Sequence, residues 1–305
     1  MNKLRIVYMG TPDFAVPSLK ILVENKYDIA AVITAPDKPK GRGQKMSISP
    51  VKEYAQSVGL KILQPTNLKD PNFQKELKDL NANLQVVVAF RMLPEAVWSM
   101  PEIGTFNLHA SLLPQYRGAA PIHWAVMNGE KETGLTTFFL KHEIDTGSII
   151  MQEKESISDV DTTGEVYERL MKKGADLVLK TVQAIENDDY ALTPQDENQK
   201  LKHAPKLFKE NTELKWDQPA EKLYNYIRGL NPFPSAWAII NDKKYKIHSS
   251  SIVDKNKTGN IGEIISDHKS YLHIQCNPGI ISLENIQPEG KKKMPTADFF
   301  RGNKL

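Results

Sequence analysis

The sequence predicts an α/β fold, a mostly parallel sheet with crossover helices followed by a smaller antiparallel β domain. Three observations carry this expectation. The chain opens as strand, turn, helix, strand: an apolar run at 4–9, Gly10-Thr11-Pro12, a helical pattern over 15–23 with Pro17 near its first turn, and a second apolar run at 27–34. A polar, weakly patterned stretch interrupts the chain at 186–202. From Ala236 onward, five short strand-like runs alternate with turn residues.

Composition narrows the class. The 305 residues suit two domains, and 40% apolar with 25% charged residues is ordinary for a globular protein. No apolar run approaches the roughly 20 residues of a membrane span, so no membrane partner is expected. The N-terminus leads straight into a strand without a signal or transit pattern, and the single cysteine, Cys276, suits a reducing compartment; a cytoplasmic protein is expected. Cys276 lies in an apolar-rich strand-like run and reads as core. No Cys or His cluster has metal-ligand spacing, so no metal is expected. The net charge of +3 is uneven: residues 209–305 carry 15 Lys and Arg against 11 Asp and Glu, and the first 208 carry 25 against 26. A mildly basic second domain is compatible with a polyanionic partner.

In chain order, residues 36–50 read as a loop, with Lys38, Lys40, Arg42 and Lys45 set among glycines and prolines and one acid, Asp37. It is a solvated surface loop on the bland reading and a basic finger for nucleic acid on the functional one. Residues 51–58 read as a helix, 59–63 as a short strand and 73–80 as a helix. The run 84–90 is a central strand, with Arg91-Met92-Leu93-Pro94 at its carboxyl end. A dinucleotide-binding oxidoreductase is disfavoured because Gly10-Thr11-Pro12-Asp13-Phe14 offers one glycine and a proline where G-x-G-x-x-G is needed.

The most informative stretch is 106–147. In 105–110 apolar residues alternate with Asn107 and His109, the period of a half-buried strand, so both polar side chains share one face. Residues 135–140 read as the next strand, and Asp145 lies in the turn after it, while His142 reads as an exposed turn residue. A carboxamide, an imidazole and a carboxylate converging at strand ends suit acyl transfer: two donors for a developing oxyanion and a carboxylate to tune the imidazole and relay a proton. Ser111 is adjacent but not in a nucleophile elbow, so the acceptor is expected to attack directly. Alone, an Asn or a His at a strand end is usually structural; the weight lies in the combination.

Beyond it, 161–185 has a helical period with Thr162 or Thr163 near its cap. Residues 186–207 are the expected linker between a first domain, 1–185, and a second, 208–305. In the second, 220–227 reads as an amphipathic helix stopped by Asn231-Pro232-Phe233-Pro234. Strands follow at 237–240, 245–250, 259–265, 271–276 and 280–286, a pattern that suggests a small barrel of the oligonucleotide-binding type.

The order Asn107-x-His109-x-Ser111-Leu112-Leu113-Pro114, then Tyr116-Arg117-Gly118-x-x-Pro121, then Asp145-Thr146-Gly147 resembles the folate-dependent formyltransferases, which move a formyl group from 10-formyltetrahydrofolate to an amine. The opening Met9-Gly10-Thr11-Pro12-Asp13-Phe14-Ala15-Val16-Pro17 resembles the branch that formylates methionyl-initiator tRNA. So do Ile227-Arg228-Gly229-Leu230-Asn231-Pro232-Phe233-Pro234 and the stretch from Gln287 to Gly302. The resemblance implies a Rossmann-like formyltransferase domain followed by an OB-like β-barrel domain. It implies Asn107, His109 and Asp145 as catalytic residues. Ser111, Leu112, Leu113 and Pro114 would lie against the folate. Arg91, Met92 and Leu93 would line the pterin pocket, where Phe90 and Arg91 stand in place of the family's usual Tyr and Gly. Lys38, Arg42 and Lys45 would be tRNA contacts, joined by Lys291, Lys292 and Lys293, whose bland reading is a solvated charge run. The expected partners are methionyl-initiator tRNA and the folate co-substrate, and the expected state is a monomer. The alternatives are a formyltransferase acting on an amino-sugar nucleotide and a non-catalytic tRNA-binding protein, the latter disfavoured by the intact Asn107, His109 and Asp145.

Overall fold

The computed structural model describes residues 3–40, 45–143, 145–303 and 305. Arg42 lies outside the described residues. The chain forms two compact units, each assembled from separated segments: 1–117, 134–155 and 168–202 make the first, and 118–133, 156–167 and 203–305 make the second.

The apolar run at the N-terminus becomes the strand Arg5–Gly10, with Ile6 to Met9 fully buried. It sits centrally in a seven-stranded sheet ordered Ile149–Ser156, Glu132–Phe139, Gly104–His109, Leu84–Val88, Arg5–Gly10, Asp28–Ile33, Ile62–Leu63. The five strands from Gly104–His109 to Ile62–Leu63 are parallel, and Glu132–Phe139 runs antiparallel to Gly104–His109. The α/β class and the mostly parallel sheet are as the sequence predicts. From Arg5–Gly10 the chain winds first to one side and then, with Leu84–Val88, to the other. That reversal opens a crevice at the carboxyl ends of these two strands, where ligands sit in open α/β sheets. The register brings the ends level: Gly10 pairs with Val88, and Val88 with Leu108, one residue before His109.

Local chemistry explains the helix starts. Ser49 caps Pro50–Ser57 by accepting from Lys52 N at 3.0 Å, and Asp70 caps Pro71–Asp79 by accepting from Asn72 N at 2.9 Å. The 24-residue helix Thr163–Glu186 begins with a reciprocal capping box in which Thr162 N donates to Glu165 Oε2 at 2.7 Å. The 36–50 loop contains a short hairpin, Lys38–Lys40 against Lys45–Ser47. Its base is tied by Asp37, which accepts from Lys52 Nζ at 2.5 Å and Gln64 Nε2 at 2.8 Å.

In the second unit the predicted strands appear as Ala236–Ile240, Lys243–Asp254, Ile264–Ser266, Leu272–Gln275 and Ile280–Pro288, with Met294–Pro295 added. The pairings among these strands are antiparallel, and Glu213 adds one isolated parallel bridge to Trp237. The expected barrel is not confirmed by the pairing: among the described residues the path runs from Ala236–Ile240 to Ile264–Ser266, with no pairing between these two end strands. The helix Ala220–Gly229 packs its Leu223 and Ile227 into a core with Tyr245, Ile247, Ile274, Cys276 and Phe299. Burial pushes the Cys276 thiol up to about 11, as befits a core cysteine. Asn241 and Asp242, both at positive φ, make the two-residue turn between the first two strands.

Candidate active site

Asn107 and His109 stand at the carboxyl end of Gly104–His109, as the period-two pattern requires. Asn107 is half-buried, and its carboxamide makes no hydrogen bond among the described residues. His109 is buried, and its Nε2 lies 2.9 Å from Tyr116 O. A carbonyl only accepts, so Nε2 carries a proton and Nδ1 is the nitrogen left to face the rest of the site. Nδ1 lies 3.9 Å from Asp145 Oδ2, with the two side chains 7% and 13% exposed. That separation exceeds a direct hydrogen bond.

Two backbone devices present these groups. Tyr116 has φ 60°, which turns its carbonyl toward His109, and Asp145 has φ 56°, a left-handed conformation that aspartate tolerates better than most residues. Gly147 follows because nothing larger fits: a Cβ there would lie 1.6 Å from Phe139 O.

The segment Ser111 to Pro114 continues directly from His109 and is fixed by one hydroxyl. Thr136 Oγ1 donates to Ser111 O at 2.7 Å and accepts from Leu113 N at 3.1 Å and from Gln152 Nε2 at 2.9 Å. Ser111 Oγ donates to Gln115 O at 2.6 Å, and Leu113 is buried against Phe138 and Ile149. Ser111, Leu113 and Pro114 are thus buried, and Leu112 is half-buried against Gly134. On the neighbouring strand's carboxyl end, Ala89 has φ 47°, Met92 is 75% exposed and Leu93 is buried. Arg91 reaches back to donate to Thr66 O at 3.0 Å and to Pro65 O. Its guanidinium sits 5.7 Å from the Phe90 ring centre, so the two residues that depart from the family pattern stack on each other. His142 is exposed, as expected, with Nδ1 3.5 Å from Glu95 Oε2.

Sequence reasoning missed Gln195, which lies in the stretch taken as linker. Its Nε2 donates to Asp145 O at 2.7 Å and to Gly147 O at 2.9 Å. Nearby, Thr193 exchanges backbone hydrogen bonds with Ile149, which extends the sheet edge by one bridge. No local signal marks either contact.

Of the basic residues, Lys38 is exposed on its hairpin, whose second strand begins at Lys45. Lys291, Lys292 and Lys293 are exposed on the second unit, with Lys291 Nζ donating to Asn303 Oδ1 at 2.7 Å. Among the described residues no group of His, Cys, Asp and Glu side chains could hold a metal ion, and no helix is long and apolar enough to cross a membrane.

The fold and site define a class: an α/β protein with an Asn–His–Asp group at the carboxyl end of a parallel sheet. Residues 3–182 match the Formyl transferase family and residues 206–304 match the Formyl transferase C-terminal domain, and the chain belongs to this family. It is 52% identical to the methionyl-tRNA formyltransferase of Parabacteroides distasonis, over 99% of this chain and 96% of the relative. It is 54% identical to that of Phocaeicola vulgatus, over 98% of this chain and 95% of the relative. Among solved structures it resembles a Helicobacter canadensis N-formyltransferase in complex with folinic acid and dTDP-3-aminofucose. That match has TM-score 0.70 and 22% identity and covers 93% of this chain and 99% of the other. A second is the sugar 3N-formyl transferase WlaRD, with TM-score 0.68, 22% identity and coverage of 96% and 100%. At such identities these two likenesses bear on the fold alone.

Proposed function

We propose that this enzyme transfers the formyl group of 10-formyltetrahydrofolate to the α-amino group of methionyl-initiator tRNA, in the cytoplasm and as a monomer. The single structural observation that carries the chemistry is the His109 ring, fixed at Nε2 by Tyr116 O and turned at Nδ1 toward Asp145. Full-length identity near one half to methionyl-tRNA formyltransferases supports the choice of acceptor. In this reading residues 1–185 hold the folate and the chemistry, supported by the Gln195 segment, and 208–305 bind tRNA.

The residues present fit a folate. The Asn107 carboxamide makes no hydrogen bond among the described residues, and Met92 offers exposed apolar surface at the next strand end. Arg91, Met92 and Leu93 on one side and Ser111, Leu112, Leu113 and Pro114 on the other would hold it. When bound, the folate supplies the formyl carbon. Asn107 Nδ2 would donate to the formyl oxygen as charge develops there, and so would Nδ1 of His109 when the ring carries its second proton; as the bond to the amine forms, the bond to the folate nitrogen would break and tetrahydrofolate would leave with the proton taken from the amine. The Asp145 carboxylate balances that charge. Asp145, 3.9 Å from Nδ1, accepts the amine proton, directly or through a water. α-Amino groups titrate near about 8, so the attacking neutral amine is available near neutral pH. Lys38, Arg42, Lys45 and Lys291, Lys292 and Lys293 contribute phosphate contacts.

The test is formyl transfer from 10-formyltetrahydrofolate to methionyl-initiator tRNA, run beside uncharged initiator tRNA and an amino-sugar nucleotide. Product on the charged tRNA alone is expected. Product on the sugar nucleotide and none on the tRNA would overturn the acceptor and leave the Asn107–His109–Asp145 chemistry standing.

A further inference from the structure

The two members of the His109–Asp145 pair are held by consecutive residues. Tyr116 O fixes the His109 ring, and the Arg117 side chain reaches the other partner through Gln195. Arg117, 12% exposed at its side chain, donates from Nε at 3.1 Å and from its terminal nitrogen at 2.7 Å to Gln195 Oε1. Gln195 Nε2 then donates to the carbonyls of Asp145 and Gly147. The terminal nitrogen of Arg117 also pairs with Glu197 at 3.0 Å, from the same segment as Gln195.

We propose that Gln195, oriented by Arg117, is a positioning residue that sets the Asp145 turn, and that Tyr116-Arg117 acts as one brace for both the imidazole and the carboxylate. The proposal rests on the catalytic reading of Asp145. The chemistry of the amide is specific. Its oxygen must meet a guanidinium and its nitrogen two carbonyls, so the cation fixes which way round the amide lies. Glutamate would aim an oxygen at two carbonyl oxygens, and methionine would fill the space with no donor. The brace matters because Asp145 holds a left-handed φ of 56°, and the two carbonyls that Gln195 Nε2 binds flank that turn. A turn released from the brace relaxes toward commoner backbone angles and moves the carboxylate away from His109 Nδ1. Small misplacements of a proton-handling group are costly in turnover and leave substrate binding nearly untouched. The segment around Gln195 thereby becomes part of the catalytic support, although its polar composition resembles a connector.

The experiment uses the full chain with Gln195→Met, Gln195→Glu and Arg117→Lys, alone and with Asp145→Asn, measuring steady-state formylation of methionyl-tRNA, tetrahydrofolate affinity and thermal melting. Gln195→Met is expected to lower kcat about tenfold with KM for both substrates within about twofold, at an unchanged melting temperature. Gln195→Glu should lose at least as much. Arg117→Lys, which keeps the charge but offers one donor group, should lose about threefold. In the Asp145→Asn background, Gln195→Met should change kcat by less than about twofold, because both variants remove the same term. Wild-type kcat in Gln195→Met overturns the proposal and leaves the role of Asp145 intact. A kcat loss that is accompanied by an equal loss of melting temperature and folate affinity, or that repeats in full without Asp145, also overturns it. Full turnover in Asp145→Asn alone sinks the catalytic reading of Asp145 and the proposal with it.

Discussion

Two largely enclosed carboxylates in the first unit stand beside basic side chains, and they are built differently. Glu155, 7% exposed at its side chain, meets Arg169 Nε at 2.6 Å and Lys173 Nζ at 2.7 Å. Asp145, 13% exposed, faces His109 across 3.9 Å. The Glu155 cluster is closed: both cations are within hydrogen-bond distance of the carboxylate. The Asp145 pair stands apart by more than a direct hydrogen bond, and its turn is held by Gln195 Nε2, which donates to Asp145 O at 2.7 Å. Burial by itself therefore separates neither case. The separation does: Glu155 is closed onto its cations at hydrogen-bond distance, whereas the His109–Asp145 pair is held apart at a distance from which a proton-handling carboxylate can act.

Asp145→Asn should have the largest effect. It keeps the side chain's shape and removes its charge, and turnover should fall by about 10²–10⁴-fold, the usual range for a lost acid or base. Tetrahydrofolate affinity and melting temperature should hardly move. Loss of folate binding with intact kcat would sink the distinction between the two carboxylates.

Glu155→Gln should do the converse, lowering stability by about 1–3 kcal/mol through the loss of a charge-assisted contact, with kcat unchanged. Thermal melting of the variant beside steady-state kinetics reads both. Burial works to raise the Glu155 carboxyl, but the hydrogen bonds and charges of Lys173 and Arg169 outweigh it and hold it below the ordinary carboxylate range. The sign follows: the unfolded carboxyl titrates near about 4.3, so the stabilisation is fully present above that pH and is lost as pH falls through the lower folded value. Melting temperature against pH should therefore drop more steeply below about pH 4.3 in the wild type than in Glu155→Gln.

Both carboxylates show what a sequence can disclose. Asn107 and His109 were legible because a strand's period of two puts them on one face, and the parallel sheet because runs such as 4–9 and 84–88 are buried on both sides. The strand Ile149–Ser156 was not legible. It is an edge strand whose Gln152, Glu153, Lys154 and Glu155 make a charged run, although Gln152 Nε2 reaches Leu113 O at 2.9 Å and Glu155 is buried. Nothing in the composition of 186–202 distinguishes Gln195 from its solvated neighbours, because its partners are carbonyls more than 40 positions away. The helix Pro121–Met127 and its inclusion in the second unit likewise depend on contacts that no short window contains.

The weakest expected effect belongs to a region built on neither principle. On the hairpin after Asp28–Ile33, the base is tied through Asp37 to Lys52 and Gln64, while among the described residues Lys38 is exposed and no carboxylate pairs with it. A phosphate contact needs charge and reach more than exact placement, and its contribution comes from displaced counterions. Lys38→Ala should accordingly raise KM for methionyl-tRNA by only about threefold and reduce the slope of log affinity against log salt by about 1. kcat at saturating tRNA and tetrahydrofolate affinity should stay at wild-type values. An unchanged salt slope would return Lys38 to an ordinary solvated surface. A fall in kcat would instead mean that the hairpin, like the Asp145 turn, is held in one geometry when the enzyme works.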